Sequence, residues 1–191
     1  MLKKLGLITL CVVSAFAMHT AELNINDKDI ELGVRVDAGQ FTDAIEPEDI
    51  LIGAKMLHVN DDVNDLDDLY ELSFLMQKEL EDSDFVLGLG IKINFTKRYT
   101  SIPLGFEGQY KLPLEKRFPV YITGALYFAP DVITMQDGIG YMEQRIAASV
   151  ELIENTSIKI GYRSINTSYK KDKGGSINFN SSIYLGFEAA F

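Results

Sequence analysis

The chain has no Trp, only two His and a single Cys, Cys11. It is also short of positive charge, with 18 Lys and Arg against 28 Asp and Glu. That balance excludes a nucleic-acid binder, because phosphate recognition needs clustered bases. Beyond the first 17 residues there is no apolar run long enough for a membrane-spanning helix, which takes about 18–20 residues. Hydrophobic residues make up 47% of the 191 positions, so the low hydrophobicity of a wholly disordered chain is absent too. What remains is one β-rich unit of ordinary domain size.

Residues 1–17 read as an export signal. Lys3 and Lys4 supply the positive start, Leu5 to Val13 the short apolar core, and Ala15-Phe16-Ala17 an A-x-A cleavage site. The apolar stretch is too short for an anchor and no stop-transfer charges follow it. Leu10 precedes Cys11 where a lipoprotein would need a small residue. Cleavage near Ala17 leaves a domain over 18–191 with 16 bases, 28 acids and a net charge of −12. An exported chain stripped of its only Cys relies on no disulfide, metal thiolate or Cys nucleophile.

The rest of the sequence alternates with period two, the mark of strands with one apolar face. In 85–96, Phe85, Leu87, Leu89, Ile91, Ile93 and Phe95 share one face; Val86, Gly88, Gly90, Lys92, Asn94 and Thr96 share the other. Ile30, Leu32, Val34 and Val36 stand against Glu31, Gly33, Arg35 and Asp37. Tyr70, Leu72, Phe74 and Met76 stand against Glu71, Ser73, Leu75 and Gln77. Similar runs begin near Leu23, Ile52, Ile102, Val120, Ile146 and Ile158. The final run is expected to align Ile177, Phe179, Ile183, Leu185, Phe187 and Phe191 on the apolar face. Asn26–Asp29 reads as a polar turn. No helical period, internal repeat or linker competes with this pattern.

The apolar face is expected to point outward. An interior of eight to ten strands is only just wide enough for side chains to fill it, and five or six large apolar residues per strand would overfill it. The opposite face mixes glycines with charges. It carries eight acids (Glu22, Glu31, Asp37, Glu71, Glu107, Glu143, Glu151, Glu188) and seven bases (Arg35, Lys55, Lys92, Lys111, Arg145, Lys159, Arg163). Near balance is what a poorly solvated lumen requires, since buried charges must find partners. The expected fold is therefore all-β: an antiparallel up-and-down transmembrane β-barrel of about ten strands, with eight as the fallback count. A two-sheet sandwich stays open as the alternative. Tyr70, Phe85, Phe95, Tyr110, Tyr127, Phe128 and Phe191 lie near strand ends, where interfacial aromatic girdles sit.

The chain closes on Tyr184-x-Gly186-x-x-Ala189-x-Phe191. This ending resembles the terminal-strand signal of bacterial outer-membrane barrels, which implies the barrel assembly machinery as a partner through the last strand. Further pieces carry a closer likeness: Ala21-Glu22-Leu23-Asn24-Ile25-Asn26-Asp27, Leu87-Gly88-Leu89-Gly90, Leu126-Tyr127-Phe128-Ala129-Pro130-Asp131, Ile160-Gly161-Tyr162-Arg163 and Leu185-Gly186-Phe187. Through them the chain over 21–191 resembles the YfaZ family of outer-membrane proteins. The resemblance implies an outer-membrane barrel of a Gram-negative bacterium, reached by Sec-type export. It implies little about mechanism.

Candidate chemistry is sparse. His19 falls at the new N-terminus and is expected to be unstructured. His58 is the one plausible base for a lipid hydrolase, yet no G-x-S-x-G elbow is present. The acidic run Asp61, Asp62, Asp65, Asp67 and Asp68 could bind a hard cation that bridges lipopolysaccharide phosphates, but lacks the spacing of a calcium loop; a solvated acidic loop is the plainer reading. Gly88-x-Gly90 sits in a strand with no helix after it, so it is no phosphate loop. The N-x-S/T triplets at Asn94, Asn155 and Asn166 are assigned no function. No catalytic, cofactor or metal site is expected. The leading expectation is a non-enzymatic, monomeric envelope barrel whose partners are membrane lipid and lipopolysaccharide, followed by a narrow pore and then a lipid-modifying enzyme.

Overall fold

A computed structural model describes residues 19–59, 68–81, 83–114, 118–173 and 175–191. Its strands are β1 (Thr20–Ile25), β2 (Asp29–Asp37), β3 (Ile50–Val59), β4 (Leu69–Glu79), β5 (Phe85–Phe95), β6 (Tyr99–Ser101), β7 (Leu104–Lys111), β8 (Val120–Ala129), β9 (Thr134–Gln136), β10 (Gly138–Ile153), β11 (Thr156–Tyr169) and β12 (Ser176–Ala190). Ten of them close into an antiparallel up-and-down barrel, each paired with its neighbours in sequence. The short β6 and β9 pair with each other and fold over one end, with β6 also joined to the tip of β5.

Closure lies between β1 and β12, where Leu23 faces Phe187 and Ile25 faces Leu185. The seam continues through the termini: His19 N donates to the Phe191 carbonyl at 3.1 Å and Phe191 N to the His19 carbonyl at 2.8 Å. His19 is thus ordered, its ring stacked on Phe41 at 5.7 Å, and the expectation of an unstructured residue is overturned. His19 and Phe191 lie together at one end, here the terminal end; the β6–β9 flap covers the distal end.

Local chemistry sets the turns. Asn26 Oδ1 accepts from the backbone N–H of Lys28 and Asp29 at 2.7 and 3.0 Å, an Asx turn between β1 and β2. Asn155, at φ 63°, takes the left-handed position of the tight β10–β11 turn.

The alternation places its apolar face outside. Leu89 and Ile183 are each 66% exposed, whereas Glu31, Glu143 and Arg163 are fully buried. Leaving a large aliphatic side chain in water costs about 1.5–3 kcal/mol relative to burying it, and among the described residues 36 large apolar side chains are exposed. A water-soluble protein does not present so continuous an apolar belt.

Three residues depart from their expected faces. Phe179 is buried in the interior and Ile177 packs partly against the same cluster, whereas both were expected on the apolar outer face. The cause is a register shift opposite Ile165 and Asn166, where Phe179 is the extra residue; both Phe179 and Asn180 are buried there, and a bulge reverses the strand's phase beyond it. Tyr127 is buried as well and belongs to no outer girdle.

The inner wall is thinned where aromatic rings lie flat against it. A Cβ at Gly105 would come 2.1 Å from the Leu126 carbonyl oxygen and 2.6 Å from the Tyr127 ring, and one at Gly161 would come 2.5 Å from the Tyr184 ring. These positions admit only Gly. Gly105→Ala is expected to overpack the wall and destabilise the barrel by about 1–3 kcal/mol, read as a lower urea midpoint for unfolding from lipid vesicles.

Candidate functional site in the barrel lumen

The lumen is the concave, charged region of the molecule, and it has three layers. At the distal end the β6–β9 flap delivers Tyr99 into an apolar cap with Leu57, Tyr141, Ile165, Tyr169 and Phe179. The three tyrosine rings pack together, Tyr99 against Tyr169 at 5.8 Å and against Tyr141 at 6.3 Å. Thr96 Oγ1 accepts from the N–H groups of Arg98 and Tyr99 at 3.2 and 3.0 Å, which holds the turn into the flap. Thr167 Oγ1 donates to Tyr99 Oη at 3.2 Å and so ties the flap to the β11 wall.

Below the cap lies a network of ion pairs. Glu31 on β2 is its hub. Arg145 on β10 donates to both Glu31 oxygens at 2.7 Å, Arg163 on β11 approaches Glu31 at 2.8 Å, and Asn24 donates at 2.8 Å. Lys55 stands 3.7 Å away. Arg145 also bonds Glu143, whose other oxygen accepts from Lys92 at 2.9 Å and from Tyr141 Oη at 2.9 Å. Lys92 lies 3.1 Å from Glu71 and 3.9 Å over the Tyr127 ring. Arg163 pairs with Asp29, which also accepts from Asn180 at 2.7 Å and Ser182 at 3.1 Å. Four acids (Asp29, Glu31, Glu71, Glu143) meet four bases (Lys55, Lys92, Arg145, Arg163), so the layer is neutral.

Most of these pairs cross the lumen. Arg145 and Glu31 are separated by three strands of the ring, as are Arg35 and Glu107, which meet at 3.1 Å. Lys92 and Glu143 are separated by two. Of the polar-face residues expected from the sequence, Glu31, Glu71, Glu143, Lys55, Lys92, Arg145 and Arg163 come together here. Lys111 and Glu151 remain near the terminal rim, and Asp37 instead caps the β2–β3 loop through the N–H groups of Gly39 and Glu48, both at 2.9 Å. The sequence reading missed Asp29, placed in a turn, and the aromatic cap.

At the terminal end the lumen opens into a polar cavity of about 230 Å³ walled by Glu22, Arg35, Lys55, Glu107, Lys159 and Tyr184. Lys159 bonds Glu188 at 2.8 Å and approaches Glu22 at 3.5 Å. Glu48 sits at its mouth with a left-handed backbone, φ 67°. Burial first, then Asp37 and Glu79 nearby, push the Glu48 carboxyl up.

The candidates singled out in the sequence lie elsewhere. His58 points outward at the distal rim, where Nδ1 meets Asp68 at 2.6 Å and Tyr70 Oη donates to the same carboxylate at 3.3 Å. Asp61, Asp62, Asp65 and Asp67 lie outside the described residues. Among the described residues there is no cluster of three or more His, Cys, Asp or Glu able to hold a metal. Gly88 and Gly90 lie in β5, facing Leu75 and Tyr127. Asn94 is fully buried in the lumen, which excludes its modification in the folded barrel.

The family model described as "YfaZ precursor" matches residues 7–191, and its description as a precursor implies the leader. No curated protein matches the chain. A solved structure reported as "Unveiling the Mechanism Behind the in-meso Crystallization of Membrane Proteins" contains a chain similar at 11% identity and a TM-score of 0.42, covering 91% of this chain and 83% of that one.

Removing one partner of a buried pair strands the other, at a cost of about 3–5 kcal/mol. Glu31→Gln is expected to destabilise on that scale, because Arg145 and Arg163 lose their shared anion. Lys78→Ala, at the exposed pair with Glu46, is expected to leave the urea midpoint unchanged.

Stability also depends on pH through Glu48. A carboxyl raised in the fold is protonated there at a higher pH than in the unfolded chain, so ionised Glu48 costs stability at neutral pH. The cost is relieved as pH falls through the raised value and is gone below the ordinary 4.5. Glu48→Gln should therefore unfold at higher urea than the parent at pH 7.5 and at the same urea at pH 3.5.

Proposed function

Since the chain belongs to the YfaZ precursor family, we propose that it is a small outer-membrane barrel of the Gram-negative envelope, with a structural or surface-interaction role and no conducted solute. The observation that carries this reading is the filled lumen. The Tyr99 flap closes the distal end, and the crossing pairs Arg145–Glu31, Lys92–Glu143 and Arg35–Glu107 brace the interior beneath it. A pore needs a continuous water-filled path, and each of these pairs stands across it. The outward apolar belt supports a bilayer as its surroundings.

The sidedness follows from the last strand. With Phe191 read by the assembly machinery in the periplasm, the terminal end and its cavity face the periplasm and the cap faces outside. The barrel acts as a monomer, its ten strands each paired with two neighbours in the closed ring. It has no nucleic-acid partner and no catalytic role. His58 is oriented by Asp68 at the outer rim, which is the feature favouring a lipid-modifying enzyme as the lesser reading.

Refolded protein in a planar bilayer is expected to give no reproducible open-channel steps, and such steps would establish the pore instead. The folded protein should show heat-modifiable migration when extracted from the outer-membrane fraction. Replacing His58 by Ala should leave the lipid A profile of the host unchanged; an altered profile would favour the enzyme.

A further inference from the structure

The outer surface of β10, β11 and β12 changes character at a single row. In register across the three strands, Val150, Ile158 and Phe187 form one outward row; Ala148, Ile160 and Leu185 the next; Ile146, Tyr162 and Ile183 the third. All nine are apolar or aromatic. One row further toward the distal end the residues become Gln144, Ser164 and Ser181, then Met142, Asn166 and Asn178, then Gly140, Ser168 and Ser176. These nine positions carry no charge, although 24% of the chain is charged.

This grid is an outer face. Ser164, Asn166 and Ser168 alternate with Arg163, Ile165, Thr167 and Tyr169, which are buried in the lumen and cap. Tyr162 Oη meets Ser181 Oγ at 2.9 Å, directly on the boundary between the two grids. Strands β10 to β12 run 16, 14 and 15 residues, against 6 to 11 for the other barrel strands. Their distal halves therefore continue past the apolar rows as a platform on the order of 10 Å by 14 Å from strand and residue spacings. Beyond it the β11–β12 turn carries exposed Lys170 and Lys171.

A face turned to bulk water would be expected to carry Lys, Glu or Asp among its residues, and one turned to acyl chains would be aliphatic. Seven of the nine are hydroxyls or amides, with Met142 and Gly140 on β10 the exceptions; uncharged groups of that kind suit a crowded layer of sugar hydroxyls, in which each group can donate and accept. The bases at the tip suit phosphate. The platform continues the lipid-facing surface on the same three strands, so its neighbour is the polar part of the same lipid.

We propose that the Gln144–Ser164–Ser181 to Gly140–Ser168–Ser176 platform is a docking surface for the phosphorylated saccharide headgroup of outer-leaflet glycolipid. This rests on the outer-membrane reading above. Ser164, Asn166 and Ser168, at the centre, hydrogen-bond the sugar, and Lys170 and Lys171 meet its phosphates.

The test uses the full mature chain refolded in detergent, titrated with two purified lipopolysaccharides, one bearing the core saccharide and one ending at lipid A. The core-bearing form should bind at least ten-fold tighter. The S164E/N166E/S168E variant should lose that difference, while K170A/K171A should weaken both forms. Equal binding of the two forms by the parent, or an undiminished preference in the triple variant, overturns the proposal. Asn166→Cys that cross-links into dimers without glycolipid would assign the platform to a second copy and also overturn it. Heat-modifiable migration of each sample separates these outcomes from failure of the barrel reading: a chain that shows no such shift fails as a membrane barrel, whatever it binds.

Discussion

Every part of this molecule depends on one inversion: the apolar surface is outside, so each charge turned inward must be satisfied by another charge or dipole of the same chain. An unpaired ion in a poorly solvated interior costs several kcal/mol. Glu31 answers that demand with Arg145, Arg163 and Lys55 around it and Asn24 alongside. The neutral count of the central layer is a condition for the ladder to close around it. The cap and the glycine-thinned wall follow from the same constraint. Space left by the charges is filled by Tyr99, Tyr127, Tyr141 and Tyr184, each with its ring in the interior and its hydroxyl near polar groups.

The alternation was legible because it is local. Whether Leu87 and Lys92 share a face depends only on the parity of their spacing, and the outward set of β2, β4 and β5 is as the sequence implies. The ten-strand count and antiparallel closure follow from the same parity together with the turn residues. The partners inside the lumen were not legible. Glu31 and Arg145 are 114 positions apart, and their meeting depends on the shear of the closed ladder, which no short window of sequence carries. Asp29 was hidden for a related reason: Asn26 makes its turn a residue earlier than the cluster of polar residues suggests, which turns Asp29 inward onto Arg163.

Phe179 shows where parity fails. One extra residue opposite Ile165 exchanges the faces of everything beyond it, and nothing in Ile177-Asn178-Phe179-Asn180 marks the bulge. The cap is similarly non-local. Tyr99 stands on a three-residue strand too short to show a period, and its inward course depends on pairing with β9 and on Thr167 in β11.

The long ion pairs have a mechanical meaning as well as an electrostatic one. A hollow cylinder of strands flattens easily, because its hydrogen bonds resist shear along the wall better than bending across it. Arg145–Glu31 and Arg35–Glu107 act as spokes between nearly opposite staves at two depths. Both spokes start from β2 and end on β7 and β10, with only β8 between those ends, so flattening the tube along either line would compress a buried ion pair. The cross-section is thereby braced against flattening along those two lines.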